Sequence, residues 1–143
     1  MTIKHKHKVR VYYPDTDAGG IVYHGQYLNF LDQGRTEFLR HAAIDMSELQ
    51  ESQHLIFVVA QIDIKYLLSA IMDDDLEIET ELLECRSRSF EFLQTITLNS
   101  ASIKTERVGK VLVRAQVKVV AVNTETYKAC RIPNAVTLKF ESA

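Results

Sequence analysis

The sequence predicts an α+β domain in which an antiparallel sheet packs against one long helix. Apolar residues recur at helical spacing near the start, and a period of two then returns in several later segments. One helix followed by consecutive strands is typical of the α+β class. With 143 residues, 46% of them hydrophobic and 25% charged, the chain is expected to form a single soluble domain over residues 1–143.

The first predicted strand covers residues 6 to 13. Val9, Val11 and Tyr13 alternate there with polar or charged residues, which places the two sets on opposite faces of a sheet. Pro14 is expected to end the strand, because proline has no amide hydrogen for a strand ladder.

The long helix is predicted over residues 26 to 42. Its apolar stripe consists of Tyr27, Phe30, Leu31, Gly34, Phe38 and Ala42. Glycine inside a helix costs about 1 kcal/mol relative to alanine, so Gly34 indicates a close approach of the helix to the sheet. A shorter helix is predicted from Ser47 to Gln53, with Ser47 as its N-cap.

The remaining chain predicts strands. The alternating apolar sets are Ile56, Val58, Ala60, Ile62 and Ile64; Leu76, Ile78, Thr80 and Leu82; Phe90, Phe92, Ile96 and Leu98; and Val111, Val113, Ala115, Val117, Val119 and Ala121. A last short strand is predicted from Tyr127 to Arg131. Because the long amphipathic strands predict an exposed sheet edge, we expect a second copy to pair with it and form at least a dimer.

Composition excludes several classes of function. The net charge of -2 argues against a general nucleic-acid binder, and no apolar run reaches the roughly 20 residues that cross a bilayer. The polar N-terminus is not expected to act as a secretory signal. Cys85 and Cys130 are expected to remain thiols, which together with the N-terminus predicts a cytoplasmic protein.

The densest group of reactive side chains lies between the first strand and the long helix. It contains Asp15, Asp17 and His24, with Gly19 and Gly20 between them. A strand-to-helix loop brings its residues to a helix N-terminus, where free amides stabilise developing negative charge. This position favours acyl transfer through an oxyanion, with a carboxylate as nucleophile or general base.

Turn chemistry explains the same pattern at least as well. Aspartates before a helix commonly accept hydrogen bonds from local amides, and His24 could be an ordinary loop histidine. A divalent metal bound by Asp15, Asp17 and His24 is a weaker alternative, because no metal-ligand spacing is present. Asp73-Asp74-Asp75 is interpreted as a solvated turn. No metal or cofactor is therefore predicted.

A family resemblance rests on residues along nearly the whole chain. These are Val11-Tyr12-Tyr13, Asp15-Thr16-Asp17-Ala18-Gly19-Gly20, Val22-Tyr23-His24, Tyr27 and Arg35-Thr36-Glu37, followed by Asp74, Leu76-Glu77-Ile78, Thr80-Glu81, Arg86 and Ser89. At these positions the chain resembles the 4-hydroxybenzoyl-CoA thioesterase family. Within that family it is similar to the short-chain acyl-CoA thioesterase branch associated with the bacterial Tol-Pal envelope system.

The resemblance implies a hotdog fold, in which an antiparallel sheet wraps a long central helix and two copies pair edge to edge. It implies that Asp17 is the catalytic carboxylate and Asp15 a supporting residue. The His24 backbone amide would polarise the thioester carbonyl, while Tyr13 and the His24 side chain would line the acyl site.

The resemblance also assigns residues to substrate binding. Gly20 and Val22 would lie beside the substrate, while Arg86, Arg88 and Ser89 match a region that approaches CoA in relatives. A solvated turn explains those last three residues equally well.

The function expected is hydrolysis of acyl-CoA thioesters by a homo-oligomer, a dimer or a tetramer, without nucleic acid or membrane insertion. A hotdog hydroxyacyl-thioester dehydratase is the nearest alternative, since fold alone does not determine the reaction. A non-catalytic acyl-CoA-binding partner protein is the second alternative.

Overall fold

The computed structural model describes residues 3 to 142, so Met1 and Thr2, which begin the basic N-terminal tract, lie outside the described residues. The elements in chain order are β1 (Ile3–Arg10), α1 (Gln26–His41), α2 (Met46–Gln53), β2 (Leu55–Tyr66), β3 (Asp75–Cys85), β4 (Ser89–Ser100), β5 (Val111–Asn123) and α3 (Asn134–Ser142). Single 3-10 turns occur at Tyr13–Asp15 and Thr105–Arg107.

The five strands form one sheet in the order β1-β3-β4-β5-β2, and every neighbouring pair is antiparallel. The first two strands of the chain therefore lie at opposite edges. Helix α1 packs against β1 and β3, and its buried side chains join the inward residues of the sheet in a single core. The predicted α+β class is confirmed.

Close packing of α1 on the sheet depends on Gly34. A Cβ on this residue would lie 2.6 Å from Cγ2 of Ile78, and 3.1 Å from both Nε2 of Gln94 and Oγ1 of Thr80. The close approach predicted from the sequence is confirmed. Glycine is required here for space, since its φ is not in the left-handed region.

Two fully buried polar side chains lie beneath the helix. The amide nitrogen of Gln94 donates to the Leu31 carbonyl and to Oγ1 of Thr80, each at 2.9 Å. Its amide oxygen accepts from Nη1 of Arg35 at 3.0 Å. Both ends of the amide are thus paired, which removes the cost of burying it.

The first strand ends earlier than predicted. β1 stops at Arg10, and Tyr13 lies in a 3-10 turn rather than on the strand. The amide of Val11 donates to the Asp74 carbonyl, and the Val11 carbonyl accepts from the Asp73 amide, each at 2.9 Å. Val11 therefore still bonds to the residues before β3, but the regular strand ladder ends at Arg10, before Pro14 is reached.

A bulge in β2 reverses which alternate side chains of the strand face the core. The register with β5 shifts between Val59 and Gln61, so Ala60 has no cross-strand partner. Phe57 packs against the core before the bulge, and Ile62 packs against it after the bulge. The single alternating set predicted from Ile56 to Ile64 is therefore wrong, because one unpaired residue inverts the alternation.

The N-cap of α2 and the C-terminal segment also differ from the predictions. Asp45, not Ser47, caps α2, because its side chain accepts a hydrogen bond from the Glu48 amide. The strand predicted from Tyr127 to Arg131 reduces to one bridge between Val122 and Ala129. α3, which the sequence pattern does not predict, follows Pro133 and buries Val136 and Phe140.

Candidate active site

The segment between β1 and α1 forms a short hairpin. Thr16 pairs with Val22 in an antiparallel bridge, and the Asp17 amide donates to the Ile21 carbonyl at 2.9 Å. The turn is closed by the Gly20 amide, which donates to the Asp17 carbonyl at 3.0 Å. Gly20 has a φ of +80°, a conformation that glycine adopts without strain. The hairpin presents Asp17 at its exposed tip.

The two aspartates of this segment have different surroundings. Oδ2 of Asp15 accepts from the Tyr12 amide at 2.8 Å and fixes the 3-10 turn. Oδ1 of Asp17 accepts from the Gly19 amide at 2.8 Å. Oδ2 of Asp17 accepts no hydrogen bond from residues 3 to 142. The predicted turn chemistry is therefore present at both aspartates, and it leaves one oxygen of Asp17 free for a reaction.

His24 lies immediately before the helix N-terminus. Gly25 is the N-cap of α1 and has no side chain to occupy the free amides. The His24 amide donates to no acceptor within the described chain, whereas the His24 carbonyl accepts from the Tyr66 hydroxyl at 3.2 Å. The ring of His24 lies 4.5 Å from that of Tyr23. A free amide at this position can donate to an oxyanion.

Tyr13 and Val22 occupy contrasting environments. Tyr13 is 77% exposed, and its backbone carbonyl accepts from the Thr16 amide and hydroxyl. Val22 is 2% exposed and belongs to the core. Its amide donates to the Ala70 carbonyl at 2.9 Å. Any contact of these two residues with substrate stays a prediction.

The interpretation of Asp73-Asp74-Asp75 as a solvated turn holds only for Asp73, which is exposed in a turn, whereas Asp75 begins β3 and Asp74 is buried. Asp74 is only 1% exposed, and it forms a salt bridge of 2.8 Å with Arg107, whose side chain is 12% exposed. The Asp74 carboxylate raises the pKa of the Arg107 guanidinium, chiefly through their hydrogen bond. Sequence spacing could not identify this pair, because 33 residues separate its members.

The residues predicted to approach CoA lie at the other end of the sheet. Arg86 and Arg88 are exposed in the turn that joins β3 to Ser89 at the start of β4. The Asp17 hairpin lies beside the opposite end of β3. Since β3 has 11 residues, each advancing about 3.3 Å, the two groups are roughly 30 Å apart within one chain.

The two predicted CoA-binding arginines also differ in charge pairing. Nε and Nη2 of Arg86 donate to the carboxylate of Glu84 at 3.0 and 3.3 Å, so its charge is already compensated. Arg88 has no ion-pair partner in the described chain. Of the two, Arg88 is the better placed to attract a phosphate.

The described residues provide neither a candidate metal site nor a helix that could span a membrane. No group of three or more His, Cys, Asp or Glu side chains between residues 3 and 142 could hold a metal ion. Within that same range, no helix combines the length and apolar character needed to span a membrane. Cys85 and Cys130 are free thiols, although only Cys85 lies in a strand.

Comparison with known proteins identifies the family. The sequence model of the Thioesterase-like superfamily matches residues 11–140, and the chain belongs to this superfamily, with its hotdog fold. It is 39% identical to the acyl-CoA thioesterase YbgC of Haemophilus influenzae over 132 residues, covering 92% of this chain and 90% of that protein. It is 37% identical to the acyl-CoA thioester hydrolase YbgC of Escherichia coli O6:H1 over 133 residues, covering 93% and 92%.

Solved structures agree with this fold. A probable thioesterase from Bartonella henselae superposes with a TM-score of 0.74 at 32% identity, covering 91% of this chain and 98% of that one. A mutant 4-hydroxybenzoyl-CoA thioesterase in complex with 4-hydroxybenzoyl-CoA gives a TM-score of 0.85 at 17% identity, covering 95% and 97%. At 17% identity the second likeness shows the fold alone.

Proposed function

We propose that this protein is an acyl-CoA thioesterase that hydrolyses acyl-CoA to a free acid and CoA. One structural observation carries the proposal: the free Oδ2 of Asp17 lies on a hairpin that runs directly into the N-terminus of α1. The relatives that are 37–39% identical over most of the chain are acyl-CoA thioesterases by name, which supports the same reaction class.

In the proposed reaction, the thioester carbonyl accepts a hydrogen bond from the His24 amide. Oδ2 of Asp17 then either attacks the carbonyl carbon or removes a proton from an attacking water. The carbonyl oxygen gains negative charge in both routes, and a preset amide donor stabilises it by about 3 to 4 kcal/mol. Collapse of this intermediate breaks the C–S bond and releases the CoA thiolate, which takes up a proton. The water route then leaves the free acid directly, whereas attack by Asp17 leaves a mixed anhydride that a water molecule hydrolyses to the acid and the restored carboxylate. Tyr13 and the His24 ring would border the acyl group, and Gly20 and Val22 would support the hairpin beside it.

We further propose that the complete site is formed between two copies of the chain. Asp17 and the Arg88 turn lie roughly 30 Å apart along β3, too far for both to contact one bound acyl-CoA molecule. β2 is a sheet edge with exposed apolar residues, including Val58, Val59 and Tyr66. Pairing this edge with a second β2 would cover those side chains and remove the unpaired backbone groups.

Such a dimer would have α1 as its central helix in each half. Arg88, Ser89 and, if released from Glu84, Arg86 would contact CoA bound at the Asp17 hairpin of the other copy. Association of two dimers into a tetramer, a cytoplasmic location and membership of the Tol-Pal-associated branch belong to the same proposal. The tetramer and the branch rest on the family resemblance, and the location rests on the polar N-terminus and the two free cysteines.

The decisive experiment measures thiol release from a panel of acyl-CoAs that differ in chain length and aromaticity. Asp17→Asn should fold normally and lose turnover by a factor of about 100 or more, as removal of a general base does. Asp15→Asn is the matched control, because asparagine retains an oxygen that can accept from the Tyr12 amide. Full activity of Asp17→Asn would refute the mechanism. Consumption of substrate without thiol release would instead indicate a dehydratase.

A complementation experiment tests the shared site. Asp17→Asn and Arg88→Ala chains, each weakly active, are co-expressed so that mixed dimers form. Each mixed dimer contains one site with both native residues, so random pairing should restore about a quarter of the wild-type activity. Activity no greater than the average of the two variants would show that each chain supplies a whole site.

A further inference from the structure

The segment Ser69–Asp74, which precedes β3 and is hereafter called the platform, contacts the elements that carry the proposed catalytic groups. The Ala70 carbonyl accepts from the Val22 amide at 2.9 Å, and Ile71 pairs with Ile21 in an antiparallel bridge. These contacts lie on the arm of the hairpin that connects Asp17 to His24.

The platform also holds the first turn of α1. The Ala70 amide donates to the Tyr27 hydroxyl at 2.9 Å, and Tyr27 is only 3% exposed. Burial raises the pKa of the Tyr27 hydroxyl, so it stays neutral at physiological pH. One residue, Ala70, thus bonds the hairpin through its carbonyl and the helix through its amide.

The platform is itself fixed by Asp74 and Arg107. Oδ2 of Asp74 accepts from the Ile71 amide at 2.9 Å and from Nη1 of Arg107 at 2.8 Å. Oδ1 of Asp74 accepts from Nη2 of Arg107 at 3.1 Å. The carboxylate therefore links Asp74 to Ile71 within the platform, and it joins the platform to the turn Thr105–Arg107.

Arg107 has no free donor left. Its remaining N–H groups donate to the carbonyls of Ser69 at 3.2 Å, Lys104 at 3.1 Å and Ile103 at 3.2 Å. With the two bonds to Asp74, all five donors of the guanidinium are used. A lysine would keep the charge, but its single nitrogen has three donors and no planar fork, so it cannot reproduce this set.

We propose that Arg107 and Asp74 are positioning residues for the thioesterase site, acting through the platform on the Asp17–His24 hairpin and on the start of α1. Neither residue contacts the reacting atoms. The pair fixes the angle between the arm that carries Asp17 and the helix end that carries the His24 amide. A shift of about 1 Å between such groups can lower a rate a hundredfold. The proposal rests on the thioesterase function proposed above.

The test uses Arg107→Lys and Tyr27→Phe, with Arg40→Lys as the matched control. Arg40 forms an ion pair with Glu37, is 69% exposed on its side chain, and lies outside the proposed site. In both test variants kcat should fall about tenfold or more while KM changes less than about twofold. Arg40→Lys should change neither constant.

Amide hydrogen exchange provides a readout that does not depend on turnover. The Val22 and Ala70 amides should exchange at least about tenfold faster in Arg107→Lys, with strands β4 and β5 unchanged. Unchanged exchange, or faster exchange with wild-type kcat, would overturn the proposal. If the wild-type protein released no thiol from any acyl-CoA, the proposed function would fail, whereas the exchange data would still decide whether Arg107 fixes the platform.

Discussion

Gly19 faces the carboxylate of Asp17: a Cβ on Gly19 would lie 3.1 Å from Oδ1 of Asp17, the oxygen that accepts from the Gly19 amide. Glycine in such a loop lets a ligand approach the backbone closely. The absence of a Cβ at Gly19 also leaves room for the Asp17 carboxylate in the orientation in which Oδ1 accepts from the Gly19 amide.

Gly19→Ala should therefore reduce turnover more than stability. The added methyl group must displace the carboxylate by a few tenths of an ångström, and we expect kcat to fall about tenfold, as small misplacements do. Asp45→Ala is the control, because Asp45 caps α2 and lies beyond the C-terminal end of α1, away from the Asp17 hairpin. It should lower the free energy of unfolding by about 1 kcal/mol without changing kcat. Wild-type kcat in Gly19→Ala would contradict the prediction.

Much of the fold could be predicted because the spacing of apolar residues along the sequence follows the spacing of buried side chains in a strand or helix. The inward residues of β3, β4 and β5 follow the predicted alternation, and Gly34 lies at the close helix-to-sheet contact that its place on the apolar stripe indicates. The prediction failed at β2, since periodicity does not reveal the unpaired Ala60. It also failed at α3, where Val136, Leu138 and Phe140 alternate with polar residues, a spacing typical of a strand.

The candidate site was only partly predictable, because some of its contacts are local in sequence and others form only in the folded chain. The aspartates and glycines of the hairpin are adjacent in sequence, so local turn chemistry identified them. Asp74 and Arg107 meet through tertiary structure alone, and an acidic run such as residues 73–75 resembles a solvated turn until its burial is known. The exposed Arg88 turn carries no local pattern that bears on the shared site proposed above.

Gly34→Ala should destabilise the protein even though alanine is the better helix former by about 1 kcal/mol. The new Cβ would lie 2.6 Å from Cγ2 of Ile78, and relief of such overpacking typically costs about 1 to 3 kcal/mol. Chemical denaturation measures the change, with the exposed Gln33→Ala on the same helix as control.

A double-mutant cycle identifies the cause of that destabilisation. In an Ile78→Ala background, which removes the clashing methyl group, Gly34→Ala should cost less by about 0.5 kcal/mol or more. Equal costs in the two backgrounds would show that Ile78 is not what excludes a larger residue at position 34.

The corrected N-cap of α2 can be tested with two alanine variants. Asp45→Ala removes the acceptor that the Glu48 amide uses at 3.1 Å, and it should lower the free energy of unfolding by about 1 kcal/mol. Ser47→Ala lies inside the helix and should change it by less than about 0.5 kcal/mol. A larger effect at Ser47 than at Asp45 would restore the cap assigned from the sequence.

His5 should make stability depend on pH in the mildly acidic range. Its Nδ1 is buried without a hydrogen-bond partner among the described residues, and its ring lies 4.9 Å from that of His41 at the end of α1. Burial, followed by the nearby His41 and His7, lowers the pKa of His5 below its ordinary value of 6.5, and Glu37 opposes the shift. The unfolded chain thus binds more protons than the folded one just below pH 6.5.

Because of this difference, the contribution of His5 is fully present above pH 6.5 and decreases as the pH falls toward the pKa of the folded state. The free energy of unfolding of the wild-type protein, measured by denaturant titration from about pH 7.5 to about pH 5, should decline more steeply than that of His5→Gln. Gln33→Ala, an exposed change that removes no titratable group, serves as the control and should decline as steeply as the wild type. If His5→Gln declined in parallel with the wild type, protonation of His5 would have no part in the pH dependence, and the unpaired Nδ1 would be tolerated in both protonation states.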